Sequence, residues 1–401
     1  MTPVAREPQG EDLDAWSSEL RAQFPIVAGN PGLAYLDSAA TAQKPQAVLD
    51  VVQEYLTTSN ANAGRGTYPW ANRTTSLIEE TRGRVKAFLD DPDPDTSAVH
   101  FVSGTTEGLR RVALDWLAGE LREGDEIIVP FADHAANASP WLEAVESLAR
   151  QGTRVTVLEM PYQTASRDYD TERLGELVSP RTRFVAVTHV HHVYGADMNV
   201  HRVRRAVGDS VVICMDAAQS VGHLPVSMTA LDVDFAVFSG HKALALPGSG
   251  AVWSRGKRGA PFAPLGWSGT PNTVGIASLG AALDWLDRAG PERIERWTVR
   301  LAARLTDGLR TMAPYKVLGC QLSLAEQSSV QQRHGIVTFR HRDIDAADLG
   351  FILFSHGFMV RADGLCQGRG GETRSSVRVS LHAYSSRDEV DRLLEVLAGL
   401  T

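Results

Sequence analysis

Four stretches of this chain combine residue types that do chemistry, and each lies directly behind a short apolar run. The last is Ser239-Gly240-His241-Lys242, at the end of Val233–Ser239 (VDFAVFS). A lysine just past a strand end, behind small residues, stands where open α/β sheets place their ligands. Taken alone, the same four residues suit a solvated surface lysine equally well. Upstream, Ser210–Asp216 (SVVICMD) runs into Asp216-Ala217-Ala218-Gln219. An acid at the end of a buried strand is costly unless a cation faces it. A protonated pyridine nitrogen is such a cation, with Gln219 in reach of a ring oxygen; the plainer reading is an Asp capping a helix. Gly104-Thr105-Thr106-Glu107-Gly108 stands between VHFVS and LRRVALDWLAGEL. Glycine and threonine at a helix start offer N–H groups, hydroxyls and the positive dipole end to a phosphate, although threonine is also an ordinary cap. His134, in Asp133-His134-Ala135-Ala136-Asn137, follows Asp125–Pro130 (DEIIVP) and suits either stacking on a ring or a solvated loop.

Those apolar runs must be held in place. Arg154–Met160, Arg183–Val190 and Gly248–Ser254 resemble those already named: short, mostly rich in Val and Ile, and not cleanly alternating. Strands covered on both faces by helices read this way. Helical patterns lie between them, such as Asn137–Gln151 with Pro140 in its first turn. The alternation predicts a mostly parallel α/β sheet with right-handed crossovers. After Gly269 the pattern changes to long helices (Ile276–Ala289, Pro291–Met312), short strands at Gly335–Arg340, Phe358–Arg361 and Ser376–Leu381, and helices over Asp345–Ser355 and Arg387–Leu397. A smaller α+β domain is expected there, with the boundary near 275.

Length and composition narrow the function classes. The 401 residues suffice for a large domain plus a smaller one. The net charge of −8 gives no reason to expect nucleic acid as a partner. No apolar run reaches the roughly 18 residues of a spanning helix, and MTPVAREPQGEDLDAW does not have the pattern of a signal peptide or anchor. Cys214, Cys320 and Cys366 are too scattered for a disulfide framework or a zinc site. A cytoplasmic, reduced setting without a metal is the expectation, in which an exposed cysteine serves as a nucleophile.

Phosphate seat, stacking histidine, acid with glutamine, and Ser-Gly-His-Lys occur in that chain order, each after an expected strand. With YLDSAATAQKP (Tyr35–Pro45), DHAANASPW (Asp133–Trp141), GTPNT (Gly269–Thr273) and SVRVSLHAYSSRDEVDRL near the C-terminus, the chain resembles the class V aminotransferase superfamily. Within these fold type I enzymes of pyridoxal 5'-phosphate (PLP), it is most similar to SUF-type cysteine desulfurases and related C–S lyases. The resemblance runs from about Leu33 to the end. It implies an N-terminal segment over 1–30 packing with the small domain, a large PLP-binding domain over 31–275 and a small domain over 276–401. By the same resemblance Lys242 is the Schiff-base lysine and proton shuttle, Asp216 pairs with the pyridine nitrogen, Gln219 with the phenolic oxygen, and His134 stacks on the ring. Thr105, Thr106, Ser239 and His241 would hold the phosphate, and Thr270 would be lent to the partner subunit of a homodimer. Arg378 matches the arginine that clamps the substrate carboxylate, a task suited to a bidentate guanidinium, with Arg65 and Ala40 beside the substrate.

Several positions depart from the desulfurase pattern. Cys366 stands at the offset of the sulfur-accepting cysteine, but Gly364 and Leu365 replace the histidines expected before it, which removes one means of lowering a thiol pKa. His192 occupies the place of an asparagine beside the phenolic oxygen, where it would tune that oxygen, act as an acid or simply fill space. The stretch from Lys242 to Gly269 is too short for the hairpin of SUF-type enzymes, and Gly64-Arg65-Gly66 leads into an unusual Tyr68-Pro69-Trp70. These departures favour β-lyase cleavage of an S-substituted cysteine to thiol, pyruvate and ammonia. The alternatives are a desulfurase that makes alanine and a Cys366 persulfide, with a sulfur-acceptor protein as partner, or another PLP outcome such as epimerisation, transamination or decarboxylation-coupled deamination. A non-catalytic PLP-binding scaffold is the reading from a different class.

Overall fold

The computed structural model describes residues 12–64, 66–163, 167–256, 269–319, 333–362, 365 and 375–400. Its centre is a seven-stranded sheet built from Ala98–Val102 (β1), Glu126–Val129 (β2), Thr156–Glu159 (β3), Thr182–Thr188 (β4), Val212–Asp216 (β5), Phe235–Ser239 (β6) and Gly250–Ser254 (β7). The spatial order is β1-β7-β6-β5-β4-β2-β3. β7 runs antiparallel to both its neighbours, and the remaining adjacent pairs are parallel. Every strand expected in the middle of the sequence is present in this sheet. β2, β5, β6 and β7 are buried nearly throughout, which explains why their sequences do not alternate: neither face meets water.

Helices that frame the site are Leu13–Arg21 (α1), Gln46–Thr58 (α2), Pro69–Phe88 (α3), Thr105–Arg111 (α4), Ser139–Arg150 (α5), Thr273–Ala289 (α6), Pro291–Arg310 (α7), Ala346–Ser355 (α8) and Arg387–Ala398 (α9). α5 starts with Pro140 in its first turn, and its Trp141 indole donates to the Asn137 carbonyl at 2.9 Å. α6 turns Ile276, Leu279, Leu283 and Leu286 into the larger core and packs on α2 and α3. A second apolar core gathers Trp297, Leu301 and Leu305 of α7, Leu349 and Leu353 of α8, and Val390 and Leu393 of α9. These pack against a three-stranded antiparallel sheet of Tyr315–Val317 (β8), Ile336–His341 (β9) and Val377–Ser380 (β10), ordered β10-β9-β8. α1 contributes Leu13 to this core, Ser17 donates to the Ala383 carbonyl at 2.9 Å, and Arg21 pairs with Glu389 at 2.6 Å.

α4 passes directly into a π-turn over Val112–Leu117, which no sequence pattern announces. Its start lies very close to the sheet. A Cβ on Gly108 would come within 2.4 Å of the Val237 side chain and 3.0 Å of Val252, on β6 and β7. Glycine here lets the helix N-terminus sit against the strand ends. Gly108→Ala is therefore expected to lower stability by about 2 kcal/mol, the usual cost of overpacking, and to weaken cofactor retention. Urea unfolding and PLP content of the purified variant measure both.

Candidate active site

The parallel strands β2, β4, β5 and β6 end on the same side of the sheet, and the chemically interesting residues collect just beyond them. A cavity of about 270 Å³ is walled by Thr105, Thr106, His134, Asp216, Gln219, Ser239, His241, Lys242, Ala40, Arg378, Arg361, His192 and Leu365, among others. Residues 40 and 378, far apart in sequence, thus meet around one space. The structure does not bring Thr270 into this cavity: it is exposed, in the wall of a separate hollow beside Arg82 and Arg111. Arg65 and Cys366 lie outside the described residues, as do residues 257–268 of the stretch between Lys242 and Gly269.

At one end, α4 presents its first turn. The Thr105 N–H donates to Ser239 Oγ at 2.8 Å, and the two hydroxyls also pair at 2.8 Å, with Thr106 next in the cavity wall. Hydroxyls and N–H groups at a positive dipole end form an anion seat. Deeper in, Asp216 is 6% exposed at the end of β5, and one carboxylate oxygen accepts the Ala218 N–H at 2.9 Å. Burial pushes its pKa up from 3.8 to about 6, partly countered by that N–H and by Lys242. Gln219 donates to the Ala39 carbonyl at 3.0 Å, while its Oε1 is buried with no hydrogen-bond partner among the described residues.

Lys242 follows Ser239 in a single 3₁₀ turn and faces the cavity half-buried. Desolvation brings its pKa down from 10.5 to about 8; Asp216 opposes the fall, and Arg378 and Arg361 add to it. His134 is kept neutral, its pKa lowered to about 4 by burial and then by Lys242 and Arg378. Its Nδ1 accepts the Ala136 N–H at 3.1 Å, which fixes the ring. Arg378, on β10, donates through Nη2 to Asp37 at 3.0 Å and through Nη1 to the His192 carbonyl at 3.1 Å.

His191 Nε2 lies 3.7 Å from Asp133 Oδ1. Asp133 is fully buried and accepts from the Tyr162 and Tyr169 hydroxyls at 3.0 and 2.6 Å. His191 stacks on His192, ring centroids 5.0 Å apart, and His192 meets His134 edge-on at 5.0 Å. Cys214 is buried and its thiol pKa is pushed well up, so it is inert. Among the described residues no group of side chains could hold a metal ion, and no helix is long and apolar enough to cross a membrane.

The residues fit PLP. A hydroxyl-lined helix start suits a phosphate, a buried carboxylate suits a ring N–H, and the unpartnered Gln219 Oε1 shows that the wall is built for a polar occupant. Comparison with known proteins gives the same answer: the model of the class V aminotransferases matches residues 34–393. The chain belongs to this family, and its cofactor is pyridoxal 5'-phosphate. A cysteine desulfurase of Cronobacter sakazakii is 33% identical over 95% of this chain and 97% of its own. The cysteine desulfurase CsdA of Escherichia coli is 31% identical over 95% and 96%. The crystal structure of that CsdA superposes with a TM-score of 0.79 at 28% identity, covering 95% of this chain and 97% of its own. An apo cysteine desulfurase from Thermococcus onnurineus NA1 gives 0.82 at 25% identity, covering 96% and 97%. The chain is an enzyme similar to cysteine desulfurases.

Buried Asp216 carries a pH signature in the apoprotein. Its folded pKa lies above the unfolded value, so the stability it contributes is present below about pH 4 and lost as pH rises through about 6. At pH 8 the ionised carboxylate costs about 2–3 kcal/mol. Asp216→Asn is expected to raise the melting temperature of the apoprotein at pH 8, with the gain vanishing towards pH 4, and to weaken PLP binding. Thermal unfolding across pH and a PLP titration measure the two effects.

Proposed function

We propose that the chain is a cysteine desulfurase that takes sulfur from L-cysteine, releases alanine and keeps the sulfur as a persulfide on Cys366. The single observation that carries this is the cavity that brings Lys242, Asp216, His134 and Arg378 together, with Leu365, the residue directly before Cys366, in its wall. The desulfurases named above support it: the first expectation, a β-lyase, rested on local departures, whereas similarity to desulfurases extends over nearly the whole chain.

Arg378 binds the substrate carboxylate and orients Cα towards Lys242. When bound, PLP supplies an aldehyde for amines to condense with and an electron-poor ring that takes up the electron pair of a broken Cα–H bond. Lys242, with a pKa near neutrality, is both the amine that anchors the cofactor and the base that removes and returns the proton at Cα. Asp216 would keep a proton on the ring nitrogen, and neutral His134 would lie against the ring. Thr105, Thr106, Ser239 and His241 would hold the phosphate. The Cys366 thiolate attacks the substrate sulfur, the Cβ–S bond breaks, and cysteine plus thiol becomes alanine plus persulfide. The acting unit is a homodimer in which Thr270, outside its own subunit's cavity, reaches the partner's phosphate site.

A second reading, β-lyase cleavage of an S-substituted cysteine, is favoured by Leu365. It gives the wall next to Cys366 an apolar side chain where the family pattern has a histidine, which suits a substituent on sulfur.

Lys242→Ala is expected to abolish turnover, and borohydride should no longer fix the cofactor to the protein. Cys366→Ser separates the readings. With a desulfurase, alanine formation from cysteine falls at least about a hundredfold, since the acceptor of the covalent step is gone. If the variant instead keeps full alanine output, or the wild type yields only pyruvate from cysteine and its S-alkyl derivatives, the desulfurase proposal is overturned.

A further inference from the structure

His192 is the histidine of the cavity wall that the steps above do not use, and its surroundings give it a definite task. The ring is 5% exposed, between His191 on one face and the edge of His134. Its Nε2 stands 2.9 Å from the Leu365 carbonyl. A carbonyl only accepts, so Nε2 carries the proton and donates. Burial, followed by the neighbouring His191, His134, Arg378 and Lys242, holds the pKa of His192 well below its usual value, so the ring stays neutral in this one tautomer. Leu365 is itself 2% exposed and belongs to the larger core while lining the cavity.

Two further contacts make the bond part of a closed circuit. The main chains of Arg361 and Arg378 pair in both directions, at 3.1 and 2.7 Å. Arg378 then donates to the His192 carbonyl at 3.1 Å. The segment that leaves Arg361 is thus tied at its start to the strand of the carboxylate clamp and, at Leu365, to the residue whose carbonyl that clamp also holds. The next residue in the chain is Cys366.

We propose that His192 is a positioning residue: by donating to the Leu365 carbonyl it fixes the point from which the chain enters Cys366, registering the sulfur acceptor against the carboxylate clamp. The proposal rests on the desulfurase reading and deepens it. Asparagine at 192 ends short of the Leu365 carbonyl and leaves a buried acceptor without its donor. Glutamine carries its N–H₂ about as far as the imidazole Nε2 and restores the bond.

The test uses the PLP-loaded enzyme and two readouts. Iodoacetamide labelling of Cys366, followed by peptide mass spectrometry, is compared for wild type, His192→Asn and His192→Gln at equal PLP content and unchanged visible absorption. Release of the Leu365 anchor is expected to raise the labelling rate of His192→Asn by roughly threefold or more, with His192→Gln close to wild type. With cysteine as substrate, kcat of His192→Asn is expected to fall about tenfold or more while KM moves less than about twofold, as for a misplaced reacting group. Equal labelling rates in wild type and His192→Asn overturn the proposal. Full alanine output from Cys366→Ser would defeat the acceptor reading instead. In that case the anchor stands or falls on the labelling rates alone.

Discussion

A carboxylate buried at the end of a hydrophobic strand is the constraint from which the rest of the site follows. Asp216 closes β5, where the chain cannot offer it bulk water, and one backbone N–H is a partial remedy. Its ionised form therefore needs a cation. Within the protein Lys242 serves, and the carboxylate in turn holds a proton on that amine against the desolvation that lowers its pKa. A ring N–H of the cofactor would answer the same need, bringing the charge to the carboxylate and leaving the lysine free to be neutral. Burial of the two groups thus prepares an acceptor for the ring and a basic amine.

The fold makes this arrangement rigid. Parallel strands ending side by side put the Asp216, Ser239 and His134 segments in one plane, and Gly108 lets α4 approach until its first turn joins them. The histidines are neutral for a common reason, desolvation reinforced by nearby cations. They act as flat, uncharged surfaces and hydrogen-bonding groups, leaving the charge balance to Asp216, Lys242 and the arginines.

Much of this was legible from sequence, and most of what was not shares a cause. Strand ends could be read because buried parallel strands are short, continuous apolar runs, and the chemistry-bearing residues follow them immediately. The choice of β-lyase over desulfurase came from a few residues, and overall similarity weighs against it. What spacing could not reveal were partnerships across the fold: Arg378 with Asp37, His192 with Leu365, and Asp133 with His191 and two tyrosines. Each joins residues on different loops, and nothing in the local pattern of either partner encodes the other. The π-turn after α4 escaped for the opposite reason: it is local, but its sequence is as helical as that of an α-helix.

The ion pair between Arg378 and Asp37 has a consequence for traffic through the site. A guanidinium left open would hold any passing anion. With Asp37 already against it, an incoming carboxylate must trade places with a tethered competitor, so binding becomes an exchange of counter-ions and not a simple capture. On the desulfurase reading the same competitor helps expel the product, since alanine carries an identical carboxylate. On that reading, selection depends on what else the ligand offers, its amine and its sulfur.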